Sequence, residues 1–241
     1  MDRITIFNKA VESVGLHTRH STEGKELELV NGFIDYYCQN FLRTNRMRNL
    51  AVFVEPYIAS GFPDIVFAAY NPSIMDNWSA ERAGLNVADL KVLSYLLSVA
   101  PCNGEQIIAS LKMPEVQVFT SVEKLFDAKL IERTNKKWCT RKMSNIYSIQ
   151  KLISVEAKIG DVRKVAAQSF RNTWFASQSY ALTSAAAPQE STITCFKKQG
   201  IGLYCKGKNY EKVVEAQRLP LPSSYISLQF NEWIGNFMMK Q

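Results

Sequence analysis

The hydrophobic pattern of this chain changes period repeatedly, and that alternation restricts its folds more than any other feature. Apolar, β-branched runs at Leu50–Glu55 and Pro63–Tyr70 give way after Asn71-Pro72 to helical spacing from Val87 onward. Strand-like runs return at Lys151–Ala157. Strand side chains alternate with period two and helical ones with period 3.6, so one amphipathic segment cannot serve as both. The expected fold class is therefore α/β, with a helical module set between two α/β stretches.

The first stretch opens with residues 22–43, where Leu27, Val30, Ile34, Tyr37 and Phe41 recur at three- and four-residue spacing as the apolar stripe of a helix. The two strands that follow are separated by the turn signal Ala59-Ser60-Gly61. In the middle module, Val87–Val99 carries Leu90, Leu93, Leu96 and Leu97, Pro101-Cys102-Asn103-Gly104 breaks it, and helices are predicted over Glu105–Leu111 and Glu115–Ala128. Then come Leu130–Arg133, a basic turn at Thr134–Lys137 and a returning strand over Trp138–Tyr147.

Beyond Lys151–Ala157 the pattern predicts a helix from the N-cap Asp161 to about Phe175, a strand at Tyr180–Thr183 and a helix at Glu190–Lys198. A closing hairpin over Gly200–Lys206 and Tyr210–Glu215 follows, with a terminal helix in 221–241 that contains Phe230, Trp233, Ile234 and Phe237.

Three helices and a basic hairpin, in the runs VLSYLL, EQIIASL and VQVFTSVEKLFDAKLIER, resemble a winged helix-turn-helix domain over about 87–148. The resemblance implies double-stranded DNA as a partner. Gln117, Thr120, Ser121 and Lys124 would face the major groove, and Arg133, Lys136, Lys137, Arg141 and Lys142 would reach phosphates. Trp138 and Tyr147 are expected to pack the wing. Domains of this kind also serve as protein-interaction modules.

Charge points the same way. The chain is formally +7, and residues 129–142 hold six basic side chains against Glu132 alone. No uninterrupted apolar run is long enough to span a bilayer, and no secretory leader is legible after Ile4–Phe7, so a cytoplasmic protein without a membrane partner is expected. Five cysteines without CxxC spacing are read as free thiols, and His17 and His20 lack a third metal ligand.

The chemistry-bearing residues lie at strand ends. Pro63-Asp64 opens one strand and Glu156-Ala157-Lys158 closes another, where alternation sends Glu156 and Lys158 to one side. Two carboxylates and an ammonium that converge suit phosphodiester hydrolysis with Mg²⁺ or Mn²⁺. Taken singly, Asp64 also fits a turn, and Glu156 with Lys158 an exposed charge pair.

The order of helix, Gly-Phe-Pro-Asp-Ile-Val-Phe, a strand ending Val-Glu-Ala-Lys, and a helix with Ala-Ala-Gln-Ser-Phe resembles the PD-(D/E)xK, or restriction endonuclease-like, superfamily. That resemblance implies a mixed sheet flanked by helices, Asp64 and Glu156 as metal ligands, Lys158 as the residue that orients water, and Gln168 facing the site. It also implies a first-helix acid, for which Glu26 is preferred over Glu23 and Glu28.

Asp64 and Glu156 lie far apart in the chain, which is accounted for if the winged-helix module, 77–148, is inserted into a discontinuous domain of 1–76 and 149–241. The function expected is metal-dependent DNA endonuclease activity, with a homodimer if both strands are cut. A DNA-binding regulatory or accessory protein on an inactive nuclease scaffold is the alternative, and a protein-interaction scaffold a third reading.

Overall fold

A computed structural model describes residues 3–19 and 23–241. His20 and Thr22, the start of the predicted first helix, lie outside the described residues, as do the first two residues of the expected first domain.

In chain order the elements are β1 (Ile4–Phe7), α1 (Lys25–Thr44), β2 (Asn49–Val54), β3 (Ile65–Tyr70), α2 (Val87–Ser98), α3 (Gly104–Leu111), α4 (Glu115–Asp127), β4 (Ile131–Thr134) and β5 (Lys137–Thr140). They continue with α5 (Met143–Ile146), β6 (Ile149–Lys158), α6 (Val162–Asn172), β7 (Gln178–Thr183), α7 (Glu190–Gln199), β8 (Gly202–Lys206), β9 (Tyr210–Val214) and α8 (Tyr225–Met239). The chain forms two compact units, Met1–Asn71 with Ile149–Ser223, and Pro72–Ser148 with Ser224–Gln241.

The first unit is a mixed seven-stranded sheet in the order β1-β2-β3-β6-β7-β8-β9. β3 and β6 run antiparallel, from Ile65 opposite Val155 to Tyr70 opposite Ile149, so the intervening segment leaves and returns between neighbouring strands. Every residue of β3 is buried, which is why Ile65–Tyr70 reads as a continuous apolar run rather than an alternating one.

Alternation along β7 separates the two cores. Tyr180 and Leu182 join Ile153, Val155 and Ala157 beneath Val30, Phe33 and Ile34 of α1, whereas Ala181 packs with Val165 and Ala166 of α6 and Phe196 of α7. The sheet is thus covered by helices on both faces. β1, which the sequence reading passed over, adds a parallel edge strand whose Phe7 stacks on Phe53 at 4.7 Å.

The second unit contains α2, α3 and α4, the β4–β5 hairpin, α5 and α8. Asn86 and Asn103 each form a reciprocal capping box, with Asp89 and Gln106, that starts α2 and α3.

Two expectations are corrected here. The returning strand predicted over Trp138–Tyr147 stops at Thr140, and α5 follows, bringing Ile146 and Tyr147 to the interior. The terminal helix, expected in the first domain, belongs to the second unit, because its buried polar groups find partners there. Arg82 Nε donates to Glu232 Oε2 at 3.0 Å, Trp78 Nε1 to Asn236 Oδ1 at 3.1 Å, and the Ser148 amide to Asn231 Oδ1 at 2.9 Å. Buried polar groups require such partners, and these fix which core the helix completes.

A candidate active site at the ends of β3 and β6

Continuing the β3–β6 register one residue beyond Ile65 sets Asp64 opposite Glu156. The main chain enforces this, since the Ala157 amide donates to Asp64 Oδ2 at 2.7 Å and the Glu55 amide to the Asp64 carbonyl at 3.0 Å. Both carboxylates are buried. The Glu156 side chain is held from α6, where Asn172 Nδ2 donates to Glu156 Oε1 and to Ser154 Oγ, each at 2.7 Å.

Burial pushes the Glu156 carboxyl up to about 8, with the Asp64 charge as the second cause. Asn172, Lys158 and Arg171 act in the opposite direction. Asp64 is raised as well, chiefly by burial, against the Ala157 hydrogen bond and Lys158. Two acids that each resist ionisation, Glu156 partly because of the Asp64 charge and Asp64 partly because of Glu26 and Glu55, form a site electrostatically short of positive charge.

Lys158 lies on the same side of β6 as Glu156 by alternation, yet as the last residue of the strand it reaches α1 and ion-pairs with Glu26. Glu26, the expected third carboxylate, is thus ion-paired with Lys158 while it lines the same cavity as Asp64. Among the described residues, no group of three His, Cys, Asp or Glu side chains is placed to hold a metal ion. Glu26 and Glu23 line one cavity of about 560 Å³ with Asp64 and Lys158, whereas Glu28 is exposed and does not line it. Gln168 lines a neighbouring pocket of about 240 Å³ with Glu156 and Asn172, and its Oε1 is buried without a hydrogen-bond partner.

Arg19, which the sequence reading did not single out, lines both spaces. Its guanidinium grips Glu55 through Nε and Nη2, at 3.2 and 2.8 Å, and its amide donates to the Glu55 carbonyl. Glu55 has φ +48°, a left-handed conformation that is strained for a non-glycine residue. Asn172 was also missed, although it follows Gln168 by four residues and so shares its helix face.

Compared with protein-family models, curated proteins and solved structures, the chain matches none. Its chemistry must be read from these side chains.

In the second unit the expected DNA-facing residues divide. Gln117 and Thr120 are exposed on α4, although Thr120 Oγ1 donates back to the Val116 carbonyl at 2.9 Å. Ser121, expected on the exposed face, is buried and donates to Asp89 Oδ1 at 2.7 Å, because it follows Val118 by three residues and shares that inward face with Val122 and Leu125. Lys124 is drawn to Asp89 as well, at 3.5 Å. Arg133, Lys136, Lys137 and Lys142 are exposed on or beside the hairpin, and Arg141 lies 3.8 Å from Glu132. No helix is long and apolar enough to cross a membrane among the described residues.

Proposed function

We propose that the protein is a metal-dependent endonuclease of the PD-(D/E)xK kind, acting on DNA, with the second unit as a winged-helix nucleic-acid module. The observation that carries this reading is the pairing of Asp64 with Glu156 across β3 and β6, two buried carboxylates with raised proton affinity and Lys158 beside them.

The donor set fits a hard divalent cation. Mg²⁺ is commonly held by one or two carboxylates and otherwise by water, so Asp64 and Glu156 suffice without Glu26. Bound there, Mg²⁺ or Mn²⁺ would supply Lewis-acid polarisation of a phosphate and a more acidic water.

The chain's own residues do the positioning. The Ala157 amide fixes the Asp64 carboxylate, Asn172 fixes Glu156, and Glu26 holds the Lys158 ammonium at the cavity wall, where it can orient water or offset charge developing on the phosphate.

The test is plasmid cleavage in Mg²⁺, Mn²⁺ and EDTA. Asp64→Ala and Lys158→Ala should each abolish metal-dependent cleavage while leaving DNA binding nearly intact, and cleavage retained in both overturns the assignment. The engagement of Lys158 by Glu26 favours a second reading, a DNA-binding regulator on an inactive scaffold. Binding without metal-dependent nicking by the unaltered protein selects it.

A further inference from the structure

We propose that the groove between α4 and the β4–β5 hairpin receives a single unpaired nucleotide of a nucleic-acid strand. The proposal deepens the nucleic-acid reading of the second unit and does not rest on the cleavage chemistry.

The outer face of α4 is ill suited to a duplex. With Ser121 and Lys124 drawn to Asp89, the exposed residues include Glu115, Glu123 and Asp127 together with Val116 (78% exposed), Phe119 (49%) and Phe126 (47%). An acidic and apolar helix would meet the phosphate rows beside a major groove with repulsion and offer little to the base edges.

The groove beside it has a different composition. It is an open depression of about 460 Å³, the scale of a small-ligand site, lined by Phe119, Trp138, Glu105, Glu123, Arg133 and Lys136. Trp138 carries the Arg133 guanidinium over its ring, 5.4 Å from the centre, with Phe126 edge-on at 6.0 Å, which leaves Phe119 as the open aromatic face. Phe119 is half exposed. Gly104, which also lines it, carries no side chain, and a Cβ there would lie 3.5 Å from the Phe119 ring.

Each part of a nucleotide has a counterpart in this set. The aromatic wall stacks a base of any sequence, the carboxylates accept hydrogen bonds from exocyclic amino groups, and Arg133 and Lys136 at the hairpin meet the phosphate. A bare anion would be repelled by Glu105 and Glu123. A base within a duplex cannot enter a pocket without leaving its stack, so the fitting ligand is already unpaired, in a single strand, overhang or loop.

The test is fluorescence anisotropy of the full chain in EDTA, so that nothing is cleaved, with three labelled probes: a mixed-sequence single strand, a blunt duplex and a duplex with a short single-stranded overhang. The single strand and the overhang should bind more tightly than the blunt duplex. Phe119→Ala should weaken single-strand binding roughly ten-fold or more, as for loss of one stacked base, and leave the blunt duplex unchanged. Gly104→Leu, which adds bulk against Phe119 at the groove lining and keeps every ring and charge, should do the same. Circular dichroism verifies that both variants are folded. Equal affinity for all three probes, insensitivity of the single strand to both substitutions, or no binding of any probe, as a protein-docking surface would give, overturns the proposal. Because cleavage is not read, the first two outcomes overturn this proposal alone and leave the assignment of Asp64, Glu156 and Lys158 standing, whereas binding of no probe removes the nucleic-acid reading of the second unit with it; failure of the cleavage assignment leaves this test intact.

Discussion

The amide of Ala157 hydrogen-bonds the carboxylate of Asp64 at 2.7 Å, so a main-chain group of the strand bearing Glu156 and Lys158 holds the acid that precedes the neighbouring strand. The site is thus built into the pairing of β3 with β6 and does not depend on the long segment that separates them in the chain.

Stability should carry the signature of the Glu156 carboxyl. Its ordinary value is 4.5 and burial beside Asp64 raises it to about 8, so between these values the folded state binds more protons than the unfolded one. Stability in metal-free buffer therefore falls as pH rises across that interval, and Asp64, also raised, adds to the same trend. Thermal unfolding in EDTA should show Tm declining from about pH 4.5 to about pH 8, with the decline flattened in Glu156→Gln. An unchanged slope in that variant contradicts the account.

Glu26 should matter more to chemistry than to stability. The Glu26–Lys158 pair is partly exposed, and such pairs contribute about 0–1 kcal/mol. Glu26→Ala is expected to move Tm by only a few degrees while releasing the Lys158 ammonium and lowering metal-dependent cleavage. A large loss of stability by calorimetry would instead mark the pair as structural.

The second unit depends on a buried ion pair. Arg82 is fully buried, lies 3.6 Å from the centre of the Trp78 ring, and donates to Glu232 and to the carbonyls of Asn145 and Ile146. Removing one partner leaves an uncompensated charge, so Arg82→Ala or Glu232→Ala should cost about 3–5 kcal/mol in urea unfolding. The double replacement by apolar residues should cost less than the sum of the single ones.

Gly235 is the position in α8 where the chain can least accept a side chain. A Cβ there would lie 2.2 Å from Trp78, whose ring is held by Asn236 and Arg82. Gly235→Ala should destabilise by about 1–3 kcal/mol despite the helix preference of alanine, because the overpacking outweighs it. Urea titration of the full chain checks the sign.

Duplex binding, where the hairpin provides it, should be electrostatic. Affinity should fall steeply with salt, and Lys137→Ala should reduce the slope of log affinity against log salt by about one.

Much of this architecture is legible locally. Val30, Ile34 and Phe41 of the predicted stripe are buried in α1 while Leu27 and Tyr37 are half-buried, Asp161 caps α6 as expected through the Lys164 amide, and Gly200–Lys206 with Tyr210–Glu215 pairs as the closing hairpin. Other features depend on tertiary partners. Ile4–Phe7 is too short to announce a strand until Phe53 is present for Phe7 to stack on. α8 is buried on most sides and mixes apolar with polar residues there, so its pattern does not say which core it enters, and the partners Arg82, Trp78 and Ser148 do.

The acids and Lys158 of the candidate site were visible as strand-end residues. Arg19 was not, because what places it is the Glu55 backbone and carboxylate. Ser121 shows the opposite error, a polar residue read as outward-facing that sits buried against Asp89.

The membership of α8 in the second unit bears on how the chain matures. Synthesis proceeds from the N-terminus, so all strands of the seven-stranded sheet emerge before residues 224–241, while the three-helix segment threaded between β3 and β6 waits for that last helix to cover its interior. A nascent chain arrested near Ser223 would hold a finished sheet and a half-closed module with bare apolar surface, a state that chaperones and proteases would be the first to recognise.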